Sequence, residues 1–186
     1  RVLLVQPAPF EDMRLGLENT VWMSEPVALT SIAAMIPEHE VEIIDLRIDP
    51  SSDLPHRIRD FRPDIVGVTC MTTDGYQAQA VLRNTKEILP KALTIVGGHH
   101  ATLMPEFFQE DYVDMIVKGE GEKVFKEICD RWSKQINLQK RNISVLSDIQ
   151  GTEVNTETGW VDNGKSEWIK NLDELPTPSR NLIKKY

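Results

Sequence analysis

Two stretches, Ile95-Val96-Gly97-Gly98-His99-His100-Ala101-Thr102 and Asp114-Met115-Ile116-Val117-Lys118-Gly119-Glu120-Gly121-Glu122, are built alike. Each is an apolar run of strand character that halts at glycine and passes into a helix-like pattern. In a parallel α/β sheet such junctions lie where strand ends open onto a ligand crevice. Glycine there admits a large ligand to the main chain, because no Cβ intervenes. The chain carries no complete set of catalytic residues, so binding is the function these junctions first suggest.

Outward from them the same alternation repeats. Val2-Leu3-Leu4-Val5, closed by Pro7 and Pro9, reads as a buried strand. A polar loop runs from Phe10 to about Ser24. Pro26 opens a helix with Leu29, Ile32, Ala33 and Ile36 at helical spacing, and Pro37 ends it. Val41-Glu42-Ile43-Ile44-Asp45-Leu46 is the second strand, followed by a short helix from Leu54 to Phe61. Ile65-Val66-Gly67-Val68-Thr69 is the third strand, with a helix from Tyr76 to Leu89 after it. Leu93-Thr94-Ile95-Val96 and Met115-Ile116-Val117 are the fourth and fifth, followed by helices from Thr102 to Glu110 and from Val124 to Trp132. Strict strand–helix alternation predicts a flavodoxin-like, Rossmann-like, doubly wound sheet of five parallel strands in the order 2-1-3-4-5. Its switch point lies between the first and third strands, and the loops after Val5, Thr69, Val96 and Val117 share the carboxyl edge.

Past about Gln135 the pattern changes. Ile143-Ser144-Val145-Leu146 and Trp160-Val161 flank a turn-rich stretch and predict a hairpin. The run from Asn171 to Arg180, with Pro176 and Pro178, predicts an extended linker. Residues 1–134 are therefore expected to form the α/β domain, and residues 135–186 an extension.

Composition sets limits on function. A chain of 186 residues fits one domain, with 40% apolar and 27% charged residues typical of a soluble globular protein. The net charge of −8 argues against nucleic acid as a partner, since phosphate backbones need clustered Lys and Arg. Cys70 and Cys129 are too few for a disulfide framework or for an iron–sulfur cluster, and they favour a cytoplasmic location. No apolar run reaches the ~18 residues of a membrane span, and no signal peptide is visible. Arg1 starts inside a strand and Tyr186 follows no stop signal, so both ends are expected to be cut from something longer.

The loop Thr69-Cys70-Met71-Thr72-Thr73-Asp74-Gly75 offers three hydroxyls ahead of a helix start. These suit an anionic or carbonyl group, and equally an N-cap. Cys70 reads either as a nucleophile or as a small buried residue, and nothing around it selects the first. His99 and His100 point opposite ways on an extended segment. No neighbouring ligand pattern completes a zinc site, so one is expected to face the crevice and the other to pack or cap. Gly119-Glu120-Gly121-Glu122 lacks the lysine and spacing of a phosphate loop. It reads as a tight turn before a helix whose dipole favours acidic residues, or as that turn also walling a cleft.

In order and spacing these pieces resemble the cobalamin-binding domain of B12-dependent radical SAM proteins. The residues that carry the resemblance are the proline-containing loop after strand one, Pro26, and Arg62-Pro63-Asp64-Ile65-Val66-Gly67-Val68. Val96-Gly97-Gly98-His99-His100-Ala101-Thr102, Pro105-Glu106 and Val113-Asp114 with Gly119-Glu120-Gly121-Glu122 continue it. The match runs from Val2 to about Trp132. Asp173-Glu174-Leu175-Pro176-Thr177-Pro178 resembles the segment leading into a radical SAM barrel. The resemblance implies a corrinoid partner bound by Pro7, Thr69, Met71, Thr72, Thr73, Gly97, Gly98, His99, Gly119, Glu120 and Gly121. It implies no catalytic or metal-ligating residue in this stretch.

Two departures qualify what is implied. Many B12 domains carry Asp-x-His-x-x-Gly after strand one, and its histidine ligates cobalt. Here that loop reads Glu11-Asp12-Met13-Arg14-Leu15-Gly16, and all four histidines (His39, His56, His99 and His100) lie elsewhere. The lower face of cobalt is then expected to take no side chain of that loop, with the nucleotide tail in the crevice by strands three and four. The Cys-x-x-x-Cys-x-x-Cys motif is also missing, so SAM and a 4Fe-4S cluster would belong to a radical SAM domain further along the polypeptide. This stretch alone is expected to catalyse nothing, while the parent would be a methyltransferase or related enzyme. A receiver-like signalling domain is the alternative, with Glu11-Asp12 and Lys118 as its acidic pair and lysine. A ligand-free α/β scaffold is another. A nucleotide-cofactor enzyme is weaker, for no Gly-x-Gly-x-x-Gly follows strand one. Gly98→Val is expected to spare the fold and block the cleft.

Overall fold

The computed structural model of the chain describes residues 1–8, 24–49, 53–135, 138 and 142–184. The loop holding Glu11-Asp12-Met13-Arg14-Leu15-Gly16 lies outside the described residues. Five strands follow the apolar runs: β1 Val2–Gln6, β2 Val41–Asp45, β3 Ile65–Thr69, β4 Leu93–Gly97 and β5 Met115–Val117. They are parallel and ordered β2-β1-β3-β4-β5. The switch point therefore falls between β1 and β3.

The sheet does not stop at five strands. A hairpin of β6 Thr152–Thr156 and β7 Gly159–Asp162 adds antiparallel beyond β5, giving seven. The run Ile143–Leu146, expected as a hairpin strand, is instead a 3-10 turn. Asn142 accepts the Ser144 N–H at its start and bends the chain there. Four apolar residues are too few for periodicity to tell strand from helix. β6 reads Thr-Glu-Val-Asn-Thr, with one large apolar residue to announce it. It forms because the edge of β5 would otherwise present unpaired main-chain groups.

Helices α1 Val27–Ala34, α2 Leu54–Phe61, α3 Gly75–Ile88, α4 His99–Leu103 and α5 Glu122–Ser133 connect the strands. The helix expected over 102–110 is divided. α4 starts earlier, at His99, and ends at Leu103, and a 3-10 turn takes Pro105–Phe108. Proline disfavours helical backbone at Met104 before it.

Successive strand residues alternate between two cores. Val2, Leu4, Ile65, Ile95, Met115 and Val117 pack on one face against α1 and α5, joined by Leu146, Ile149 and Val154. Leu3, Val5, Val66, Val68, Val96 and Ile116 pack on the other against α2 and α3. Burial on both faces is what makes these strands read as unbroken apolar runs. None of the described helices is long and apolar enough to cross a membrane. Ile65 is 3% exposed within the first core. Ile65→Asp leaves an unpaired charge there, at a cost of about 3–5 kcal/mol, and is expected to abolish the cooperative thermal transition seen by circular dichroism.

Candidate functional site

On the α1/α5 face the carboxyl half of the sheet is short of side chains. The residues facing that way are Leu4 from β1, Gly67 from β3, Ile95 and Gly97 from β4, and Val117 from β5. Gly67 lies between Leu4 and Ile95 in register, and Gly97 beside Thr69. The missing side chains leave a cleft of about 280 Å³, walled by Ala28, Leu29 and Ile32 of α1, by Gly121 just before α5 and by Glu122 and Phe125 of α5. The two floor glycines differ. A Cβ on Gly67 would sit 3.0 Å from both Leu4 Cδ2 and Phe125 Cε2, so that glycine lets the core close beneath the cleft. A Cβ on Gly97 would meet Val117 at an ordinary 3.6 Å, so that glycine holds space open.

Gly98 plays another part. Its φ of 94° is one that glycine adopts without penalty, and a Cβ there would lie 2.8 Å from the Cys70 amide nitrogen and carbonyl oxygen. Those groups stitch β3 to β4, since the Cys70 N–H donates to Gly97 O at 2.9 Å and Cys70 O accepts from the His100 N–H at 3.1 Å. A side chain at Gly98 therefore breaks the crossing rather than merely filling the cleft, which corrects the expectation for Gly98→Val. Thr102 joins the two glycine loops: its hydroxyl donates to Gly98 O at 2.8 Å and accepts the Gly119 N–H at 2.9 Å.

Of the residues singled out by sequence, Thr69, Gly97, Gly98, Gly119, Glu120 and Gly121 line this cleft. Pro7, Met71, Thr72, Thr73 and His99 do not. Pro7 is buried after β1, and the other four are exposed, Met71, Thr72 and Thr73 after β3 and His99 at the start of α4. His100 packs on Phe107 and Phe108, at ring separations of 5.0 and 5.7 Å. Neither histidine lines the cleft. Leu4, Ala28, Ile32, Gly67, Glu122 and Phe125 line it and were not singled out. Gly67 carried a signal, as the one residue without a side chain in a β-branched strand.

The chemistry of the site is that of a binding surface. Cys70 is fully buried, and burial followed by the nearby Asp74 carboxylate pushes its thiol up, which keeps it protonated. Asp74 accepts the Met71 N–H at 2.6 Å and fixes the start of the β3 loop. The ionisable side chains lining the cleft, Glu120 and Glu122, are both acidic. Lys118 turns toward the hairpin, with Nζ 3.0 Å from Glu153 and 2.5 Å from Asp162. That engagement removes the lysine a receiver-like reading relied on.

A side-chain-poor cleft at the switch point of a parallel sheet defines an α/β cofactor-binding domain. The chain belongs to the B12-binding domain family, whose model matches residues 19–129. It is 36% identical over 188 aligned positions to an uncharacterized methyltransferase of Pyrococcus horikoshii, an alignment covering 98% of this chain and 39% of that protein. It is 25% identical over 194 positions to the hopanoid C-3 methylase of Methylococcus capsulatus, covering 99% of this chain and 33% of that one. The chain thus spans about two fifths or less of these relatives. Its fold resembles that of a radical S-adenosylmethionine methyltransferase, TsrM of Kitasatospora setae, solved with cobalamin and an iron–sulfur cluster bound. The TM-score is 0.66 at 20% identity, over 96% of this chain and 31% of that one.

Two outcomes test the loop geometry. Gly98→Ala is expected to lose about 1–3 kcal/mol to backbone strain alone, read as a lower denaturant midpoint. Asp74 has its carboxyl raised above the usual range, chiefly because burial disfavours the ionised form, with the Met71 N–H partly opposing. The folded chain then holds that proton more tightly than the unfolded chain. Its contribution to stability is present in acid and is lost as pH rises through the folded value. Measured from pH 7 down to pH 4, the parent should gain stability relative to Asp74→Asn.

Proposed function

We propose that this chain binds cobalamin with its nucleotide tail in the cleft between α1 and α5 and its corrin ring over the carboxyl edge. The observation that carries the reading is the open floor at Gly97, where an ordinary side chain would fit and the sequence supplies none. At about 280 Å³ the cleft is near the lower limit of ligand pockets, roughly 300–1,000 Å³. That size suits an inserted tail and leaves the broad macrocycle outside. The depth of the cleft is apolar, with Leu4, Leu29, Ile32, Ile95 and Phe125, and suits a flat aromatic base.

Thr69, Gly97, Gly98, Gly119, Glu120 and Gly121 would surround the tail. Pro7, Met71, Thr72, Thr73 and His99 would lie along the rim beneath or beside the ring. When bound, the corrinoid supplies a cobalt that carries an alkyl group for transfer. The chain's own residues bind and orient it, and keep water from the buried tail. In this reading the partner is a radical SAM domain of the same polypeptide, which would hold SAM and a 4Fe-4S cluster. The parent would be a methyltransferase or related enzyme. Family membership supports the corrinoid, and the names of the relatives support the parent activity. Two free buried thiols support a cytoplasmic setting.

Mixing the chain with hydroxocobalamin and passing it through gel filtration is expected to give a coloured protein. Its absorption spectrum should show no imidazole on cobalt. Retention of corrinoid should fall at least tenfold in Gly97→Leu, whose side chain enters the cleft, while the thermal transition stays cooperative. A colourless parent, or equal uptake by the variant, would overturn the reading.

A further inference from the structure

After β7 the chain turns back and passes from the loop after β5 to α1, the two sides that wall the cleft. It leaves beside Lys118, which pairs with Asp162 at 2.5 Å. Ser166 then lies against Gly151 and Gly119, where added Cβ atoms would stand 2.7 Å from Ser166 Cβ and 3.7 Å from its Oγ. The Ile169 N–H donates to Glu120 Oε2 at 2.6 Å. Further on, the Ser179 N–H donates to Thr30 O on α1 at 2.9 Å, and Arg180 pairs with Glu25 at 2.6 Å. Leu182 and Ile183 end the crossing on the α1/α5 core. One segment thus touches the loop after β5 on one wall of the cleft and α1 on the other. Pro176 and Pro178 stiffen it between these points.

The contacts along this crossing are not equal. Arg180–Glu25 is an exposed pair of the kind that contributes little. The Glu120 contact is a short, charge-assisted hydrogen bond to a main-chain donor, made by a residue that itself lines the cleft. With that carboxylate oxygen engaged by the strap, Glu120 acts on any ligand through the chain it holds.

We infer that Glu120 is a positioning residue whose carboxylate clasps residues 163–179 across the mouth of the cleft and so slows departure of the bound corrinoid. The inference rests on the cleft being the corrinoid site. Three variants of the 186-residue chain separate its parts. Glu120→Ala removes the acceptor, Ile169→Pro removes the donor and leaves the carboxylate in place while also fixing the local φ, and Glu120→Gln keeps an acceptor oxygen. Each is loaded with hydroxocobalamin, and release is timed by absorbance after rapid desalting. Amide exchange at Ile169 is followed in the parent and the two Glu120 variants.

Glu120→Ala and Ile169→Pro should both release corrinoid about tenfold faster than the parent. Glu120→Gln should stay within about twofold of it, with Ile169 exchange protected in the parent and in Glu120→Gln and lost in Glu120→Ala. Parental release rates in both disruptive variants would overturn the clasp and leave the corrinoid reading standing. Fast release in Glu120→Ala alone would place the carboxylate on the ligand and overturn the positioning role. A parent that retains no corrinoid overturns both.

Discussion

A strand buried on both faces normally commits every side chain to packing, and this domain depends on a local exception to that rule. Gly67 and Gly97 remove two side chains from one face of adjacent central strands, at the end where the loops diverge. The surrounding core does not collapse into the gap. Phe125 and Leu4 meet over Gly67 and prop the sheet and α5 apart just beside it. Interiors pack as densely as organic crystals, so an opening of this size persists only when rigid neighbours hold it. Here those neighbours are aromatic and branched side chains on elements with their own cores.

The loops above the gap are held with equal economy. Gly98 brings its main chain against Cys70, Cys70 joins β3 to β4, and Thr102 joins the β4 loop to the β5 loop. Asp74 supplies the remaining tie, from beneath the β3 loop. The rim is therefore a set of main-chain groups fixed by one another. Side chains such as Met71, Thr72, Thr73 and His99 lie exposed on its surface. This division explains why the glycines fall into separate kinds. Gly67 and Gly98 serve close packing, and Gly97 and Gly121 keep space.

Much of this was legible in the chain itself. The five parallel strands and their order follow from apolar runs alternating with helical periodicity, because a parallel sheet covered on both faces writes that pattern directly. The hairpin was found in kind but displaced. β6 is chosen by the open edge of β5, and no local residue reports an edge. The wall glycines were readable because glycine at a strand end has few other uses. Ala28, Ile32 and Phe125 were not readable as site residues, since on a helix they look like any core stripe. Their role comes from what stands opposite them, the empty face of β3 and β4, and that pairing exists only after folding. Glu120 was read as a cleft residue and lines the cleft, but its hydrogen bond from Ile169, 49 residues along the chain, had no local signal.

The acidic mouth of the cleft has a consequence for ligand choice. Crevices at sheet switch points are the usual berths of nucleotides, whose phosphates are held by helix N termini and basic side chains. Here the ionisable residues of the lining are Glu120 and Glu122, and the chain as a whole carries a net charge of −8. A polyphosphate meets like charge at the entrance and apolar walls behind it. Each added phosphate therefore counts against a guest here, which favours ligands that bring few of them to this entrance.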